Sequence, residues 1–226
     1  MRMKSKMLLI ALCALTGVQN INAQLGKTRN STYANVYTYQ TGERDRSVGT
    51  FFAAYDYTTM AIDVKGVDDI TYHGVSVGFN YFFPFADGLG LTAGIKGQYF
   101  FRNDTEGIYT YKDNLFAGTI PVDLSYDLRL SDSFALTPYA GLYGRYNFMA
   151  HAVTETKGKS GHESVSQFDD TLVTDPFERF QYGWEAGITA RISDMVTFGA
   201  GFWHDLNEIC DHTKMYGINF TVGANF

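Results

Sequence analysis

Residues 215–226 read "MYGINFTVGANF". Tyr216, Ile218, Phe220, Val222, Ala224 and Phe226 alternate with Gly217, Asn219, Thr221, Gly223 and Asn225. A period of two puts the first set on one face of a β-strand and the second set on the other. The apolar face continues to the final aromatic ring, so it has to be covered either by a protein core or by lipid.

The rest of the chain extends this pattern. Its 226 residues suit one domain and include Gly 23, Phe 18, Tyr 16 and Pro 4. Abundant aromatics without helical periodicity predict strands. Beyond the amino-terminal region no stretch approaches ~18 consecutive apolar residues, so no membrane-spanning helix is expected. Alternating segments fall near 48–60, 70–83, 89–102, 114–130, 134–148, 179–192, 196–206 and 214–226. The connections "PFADG" (84–88), "SDS" (131–133) and "SDM" (193–195) are short and carry tight-turn residues. Those at 61–69, 103–113, 149–178 and 207–213 are longer and polar. Eight strands with short turns at one end and long loops at the other form the pattern of an all-β, antiparallel, up-and-down transmembrane β-barrel.

The amino terminus predicts a leader. Arg2, Lys4 and Lys6 precede the apolar run "MLLIALCALTGV" (7–18), and "INA" (21–23) is a suitable cleavage site. "IALC" resembles a lipoprotein cleavage site, but Leu12 is bulky where a small residue is needed. The expected division is a signal peptide at 1–23, a periplasmic segment at 24–46 and an outer-membrane barrel domain at 47–226. Removing the leader takes away basic residues only, so the charge becomes more negative than −6. That excludes the basic face a nucleic-acid partner requires. Cys13 lies in the leader, which leaves Cys210 alone and excludes an internal disulfide framework.

The two faces of each strand settle the environment. Leu89, Leu91, Ala93, Ile95, Tyr99 and Phe101 oppose Gly90, Thr92, Gly94, Lys96 and Gln98. Tyr182, Trp184, Ala186, Ile188 and Ile192 oppose Gly183, Glu185, Gly187, Thr189 and Arg191. A solvated outer surface would carry more Lys and Glu and less Gly, as the outer face of a soluble sandwich must. Small and polar residues suit a narrow lumen filled by side chains. The polar face carries the cations Lys96, Arg102, Arg129, Arg145 and Arg191 and the anions Asp56, Asp123, Asp127, Glu185 and Asp205. Buried charges have to pair, because desolvation costs several kcal/mol per ion. These ten residues are therefore the expected lumen charge network. Aromatics cluster beside both the long loops and the short turns, as in the two girdles of a membrane band.

The final strand resembles the C-terminal strand of outer-membrane β-barrel proteins, which ends on an aromatic residue. On that resemblance, Tyr216, Ile218, Phe220, Val222 and Phe226 form the signal read by the barrel-assembly machinery. "PYAGLYGRY" (138–146), "IPVDLSYDLRLSD" (120–132) and "YGWEAGITARIS" (182–193) also resemble strands of the outer-membrane porin-like β-barrel family, similar to the OmpA membrane domain and OmpX. This implies a Gram-negative outer-membrane location, periplasmic termini, and contact with outer-membrane lipid and lipopolysaccharide. It does not specify an activity, since the family hosts adhesins, anchors, channels and lipid enzymes.

Three stretches carry candidate chemistry. "GFWHDLNE" (201–208) offers His204 and Asn207, as in lipid A deacylases, but position 206 is Leu where a hydroxyl nucleophile is needed. The competing reading puts Trp203 and His204 at the membrane rim. "NEICDHTK" (207–214) offers Glu208, Cys210, Asp211 and His212 as ligands, without the spacing of a zinc site. The loop 149–178 carries His151, His162, Asp169, Asp170, Asp175 and Glu178, and long loops on rigid scaffolds are common binding sites. The expected function is structural or binding, toward an extracellular ligand. No catalytic residue, cofactor or metal is expected. The alternatives are a small-solute channel and, below it, a lipid-modifying hydrolase.

Overall fold

A computed structural model describes residues 47–157 and 162–226. The expected leader and the segment 24–46 lie outside the described residues. The strands are β1 (Val48–Ile62), β2 (Ile70–Ala86), β3 (Leu89–Glu106), β4 (Tyr109–Tyr126), β5 (Leu128–Ser131), β6 (Phe134–Thr156), β7 (His162–Ser166), β8 (Phe180–Ile192), β9 (Val196–Asp205) and β10 (Thr213–Asn225). Neighbours are antiparallel, β4 pairs with β6 and β10 pairs with β1. The ring β1-β2-β3-β4-β6-β8-β9-β10 is therefore closed, and the chain is an eight-stranded antiparallel β-barrel. β5 prolongs the line of β4 and pairs with the start of β6.

Closure joins the first and last strands of the ring. The β1–β10 register runs from Thr50↔Asn225 to Ile62↔Thr213. Beyond it, Phe226 N donates to Gly49 O at 3.0 Å and Gly49 N donates to Phe226 O at 3.2 Å. The Phe226 ring stacks on Phe51 and Phe79, with centroids 5.3 and 5.9 Å away. It fits because position 49 is glycine: a Cβ there would lie 2.7 Å from the ring. The apolar final strand thus meets the first strand edge to edge and closes the ladder at this seam.

Burial follows the alternation read from the sequence. On β4, Ile120, Val122, Leu124 and Tyr126 face outward, while Thr119, Asp123 and Ser125 face inward. A β-bulge at the Phe116/Ala117 step lets β6 carry Asn147 and then Ala150 inward, which resets its parity.

Three expectations require correction. The stretch 103–113 is not a loop, because β3 and β4 stay paired out to Glu106↔Tyr109 and turn at Gly107, whose φ is 61°. Much of 149–178 is also strand: β6 runs to Thr156 and β7 pairs back on it. Beyond the aromatic girdle apolar and polar residues no longer alternate by face, with Asn103, Thr105, Lys112 and Glu155 among Tyr109, Tyr111 and Val153. The hydrophobic period disappears there, but backbone pairing does not depend on it. The lumen face also differs from expectation, since it is not uniformly small and polar. Near the long connections it holds an apolar cluster of Met60, Tyr72, Phe100, Leu115, Tyr143, Ala150, Trp203 and Met215, closed by Ile209 from the connection after β9.

Candidate functional site

The inward side chains form layers along the barrel axis, because each strand contributes one inward residue in every two. At the turn end, Arg191 Nη2 donates to Asp127 Oδ2 at 2.7 Å, and Arg129 Nε lies 3.8 Å from the same oxygen. Thr137 adds a hydroxyl to Asp127 Oδ1. At mid-barrel, Lys96 Nζ bonds Glu185 Oε2 at 3.2 Å, and Ser76 donates to Asp56 Oδ2 at 2.8 Å. Asp123 stands beside Glu185. Above this layer, Arg145 Nη2 and the Tyr143 hydroxyl donate to the two oxygens of Asp205. The Arg145 guanidinium also lies over the Trp203 ring, 5.0 Å from its centroid. Arg102 sits apart at the long-connection end, bonded to Asp104 at 2.8 Å and Asp113 at 3.5 Å. Nine of the ten expected network residues therefore occupy stacked layers within the ring, and Arg102 belongs to the mouth.

The pairing is uneven. Among the described residues, Asp123 Oδ1 and Asp56 Oδ1 are buried without a hydrogen-bond partner. The turn-end half of the lumen is a cavity of about 120 Å³ lined by Lys96, Asp123, Glu185, Arg191, Asn80 and Asn225, among other polar groups. The other half is plugged, since Phe100, Trp203, Ile209 and Met215 are all 2% exposed or less.

The long connections fold over this plug. Phe168 and Phe177 pack against it, and Arg179 covers the Phe168 ring at 4.0 Å. Backbone bonds run from Gln167 to Ala150, from Phe177 to Gln167 and from Glu178 to Ile209. Asp169 accepts bonds from the Thr171 hydroxyl and backbone N–H, which hold its carboxyl below the usual carboxylate range. Asp170 is exposed, and His151 pairs with Ser166 across β6 and β7. The backbone of His162 pairs with Glu155. Asp175 Oδ1 accepts from Asp211 N.

The remaining candidates separate. His204 faces outward and stacks between Trp184 and Tyr216, at centroid distances of 6.3 and 6.0 Å. Trp203 is not at the rim but inside the barrel, because it shares the inward parity of Asp205 and Gly201. The Asn207 side chain caps backbone groups of Tyr182 and Phe180, and Leu206 is exposed. Glu208, Asp211 and His212 are exposed, whereas Cys210 is half-buried against the cap, and that burial raises its thiol pKa. Among the described residues no set of three His, Cys, Asp or Glu side chains converges to hold a metal. Tyr216, Ile218, Phe220, Val222 and Phe226 all face outward on β10 and its end.

The plug is the part of the lumen that sequence reasoning missed. Its signal was present: Phe100 and Trp203 have the same parity as Gln98 and Asp205.

The family comparison agrees with this architecture. A model of the family described as outer membrane protein beta-barrel domain matches residues 39–211. Among solved structures, the chain is similar to Ail, the attachment invasion locus protein of Yersinia pestis, at 13% identity and a TM-score of 0.48, covering 79% of this chain and 98% of that one. It is similar to Neisserial surface protein A at 10% identity and a TM-score of 0.45, covering 78% and 95%. It is also similar to the outer membrane enzyme PagL at 11% identity and a TM-score of 0.36, covering 74% and 97%. No curated protein matches the sequence. With the family match spanning residues 39–211, this chain, a small barrel of the Gram-negative outer membrane, belongs to the outer membrane protein beta-barrel domain family.

Proposed function

We propose that this barrel is a non-enzymatic scaffold that presents a binding surface for an extracellular protein or peptide. The supporting observation is the paired sheet above the girdle. The far ends of β3, β4 and β6 continue past the ring and, with β7, make a four-stranded blade in the order β3-β4-β6-β7. A tilted strand needs only ~9–11 residues to cross a bilayer. β3 has 18 residues and β6 has 23, so both have length to spare. The pairing of β2 with β3 ends at His73↔Phe101, so the far end of β3 has a free edge. β7 pairs only with β6 among the described strands. Free edges offer unpaired N–H and C=O groups to an added strand.

In this reading the short turns and both chain ends face the periplasm, and the blade faces the exterior. Outer-membrane lipid and lipopolysaccharide cover the outward belt, and the assembly machinery reads the β10 residues. An enzyme reading has little support, because His204 points outward between two aromatic rings and its motif has Leu206 where a hydroxyl nucleophile is needed.

The test is to replace residues 103–112 with a short turn and pan a displayed peptide library against both proteins in nanodiscs. Peptides selected by the full chain are expected to lose binding to the shortened one, while its heat-dependent gel shift persists. Equal binding to both proteins would reject the blade as the recognition surface.

A further inference from the structure

The mid-barrel layer is unbalanced in charge. Asp56, Asp123 and Glu185 face it, and its cation, Lys96, is bonded to Glu185. Asp56 has a hydroxyl from Ser76 on one oxygen and no hydrogen-bond partner on the other. Asp123 is 3% exposed, lies against a second carboxyl group, and has no hydrogen-bond partner on Oδ1. The neighbouring layers do not supply the missing charge. Arg145 is engaged by Asp205, Arg191 and Arg129 share Asp127, and Arg191 also meets Asp194.

The position of Asp123 is built into the wall. Its cross-strand partner is Gly141, and a Cβ at that position would come within 2.4 Å of Asp123 Oδ1. The carboxylate occupies the space that a side chain would fill. Asp123 lines the turn-end cavity together with Asn80 and Asn225, and Asn80 Oδ1 and Asn225 Nδ2 are likewise buried and unpartnered. Oxygen-bearing Thr50, Thr92, Ser125 and Thr197 line the same space. Two neighbouring carboxylates in a partly desolvated site repel each other unless a positive charge joins them.

We propose that the turn-end lumen is a binding site for a small monovalent cation, an alkali-metal or ammonium ion, held at Asp123 and Glu185. Among the described residues no three acidic, histidine or cysteine side chains converge as a chelating set, which disfavours a divalent ion. A cavity of about 120 Å³ admits a small ion together with some of its water. Entry is from the turn end, because the opposite end is plugged. The site is independent of the blade and of what the blade binds.

The test is a caesium chloride titration of the folded full chain in uncharged detergent, read by caesium NMR. Saturable binding at neutral pH is expected. Asp123→Asn should weaken it by at least about tenfold, the loss of one charge-assisted contact. Lys96→Met removes the competing cation and should tighten it by about threefold or more. Asp170→Asn, in an exposed connection, should change nothing. The heat-dependent gel shift verifies that each variant is folded. Non-saturable signals in the wild type would overturn the proposal, with a proton between Asp123 and Glu185 the alternative. So would unchanged affinity in Asp123→Asn. If Asp123→Asn does not fold, unchanged or weaker binding in Lys96→Met overturns it.

Discussion

Arg145 and Asp205 meet inside the lumen from β6 and β9 with almost no solvent on either, at 1% and 0% side-chain exposure. Tyr143 holds the second carboxylate oxygen, and Trp203 covers the guanidinium. Breaking such a pair from one side leaves an uncompensated buried charge. Arg145→Ala is therefore expected to cost about 3–5 kcal/mol. Urea titration of the folded barrel checks this. A loss below about 1 kcal/mol would mean that water reaches Asp205.

Ion passage should be limited by the apolar plug rather than by this pair. The wild type is expected to give background current in planar bilayers. Trp203→Ala, which removes the largest fully buried side chain, should raise current more than Arg145→Ala does. The reverse order would place the resistance in the charge layer.

Glycines on the two faces should respond in opposite ways. A Cβ at Gly183 would lie 2.2 Å from His204 O and 2.4 Å from Tyr143 Oη, and neither can easily move. Gly183→Ala should sharply lower the yield of the heat-shifting form. A Cβ at Gly97 meets nothing within 4 Å. Gly97→Leu on the outward face should leave that yield unchanged or improve it. Equal behaviour of the two variants would contradict the assignment of faces.

Cys210 reports on the cap. Burial raises its thiol pKa, so less reactive thiolate is present at neutral pH. Alkylation by iodoacetamide should be slower than for the denatured chain and should accelerate as pH rises. Phe177→Ala loosens the cap over the plug and should increase the rate about threefold or more if Cys210 is shielded by packing. A rate already equal to that of the denatured chain would show that the cap does not shield Cys210.

The seam gives a prediction for assembly. Phe226→Ala removes the ring contacts to Phe51 and Phe79, and Gly49→Val intrudes on the same space. Both should slow acquisition of the heat-resistant form in detergent refolding, while a change at Ile108, on the distant β3–β4 turn, should not.

The strands and their facing were legible because lipid and lumen impose a strict period of two. Leu91, Val122 and Trp184 could be placed outward from spacing alone. Past the girdle that constraint ends, so residues 103–113 looked like a loop although they continue the ladder. The partner of each charge was not legible either. Lys96 meets Glu185 from 89 positions away, and only the order and stagger of the ring bring them to the same height. Phe100 and Trp203 were overlooked because an inward aromatic obeys the same alternation as an inward polar residue. What differs is its height in the barrel, which parity does not record.

The one-sided plug also shapes the electric field. A voltage across an insulator falls where mobile ions cannot follow. Here that is the packed stretch from Arg145 to Ile209. On the entry route proposed above, the polar cavity below it opens toward the turn-end compartment and takes that compartment's potential. An ion that reaches Asp123 crosses almost none of the voltage difference. Occupancy there should therefore follow the salt concentration on one side and be insensitive to membrane polarisation.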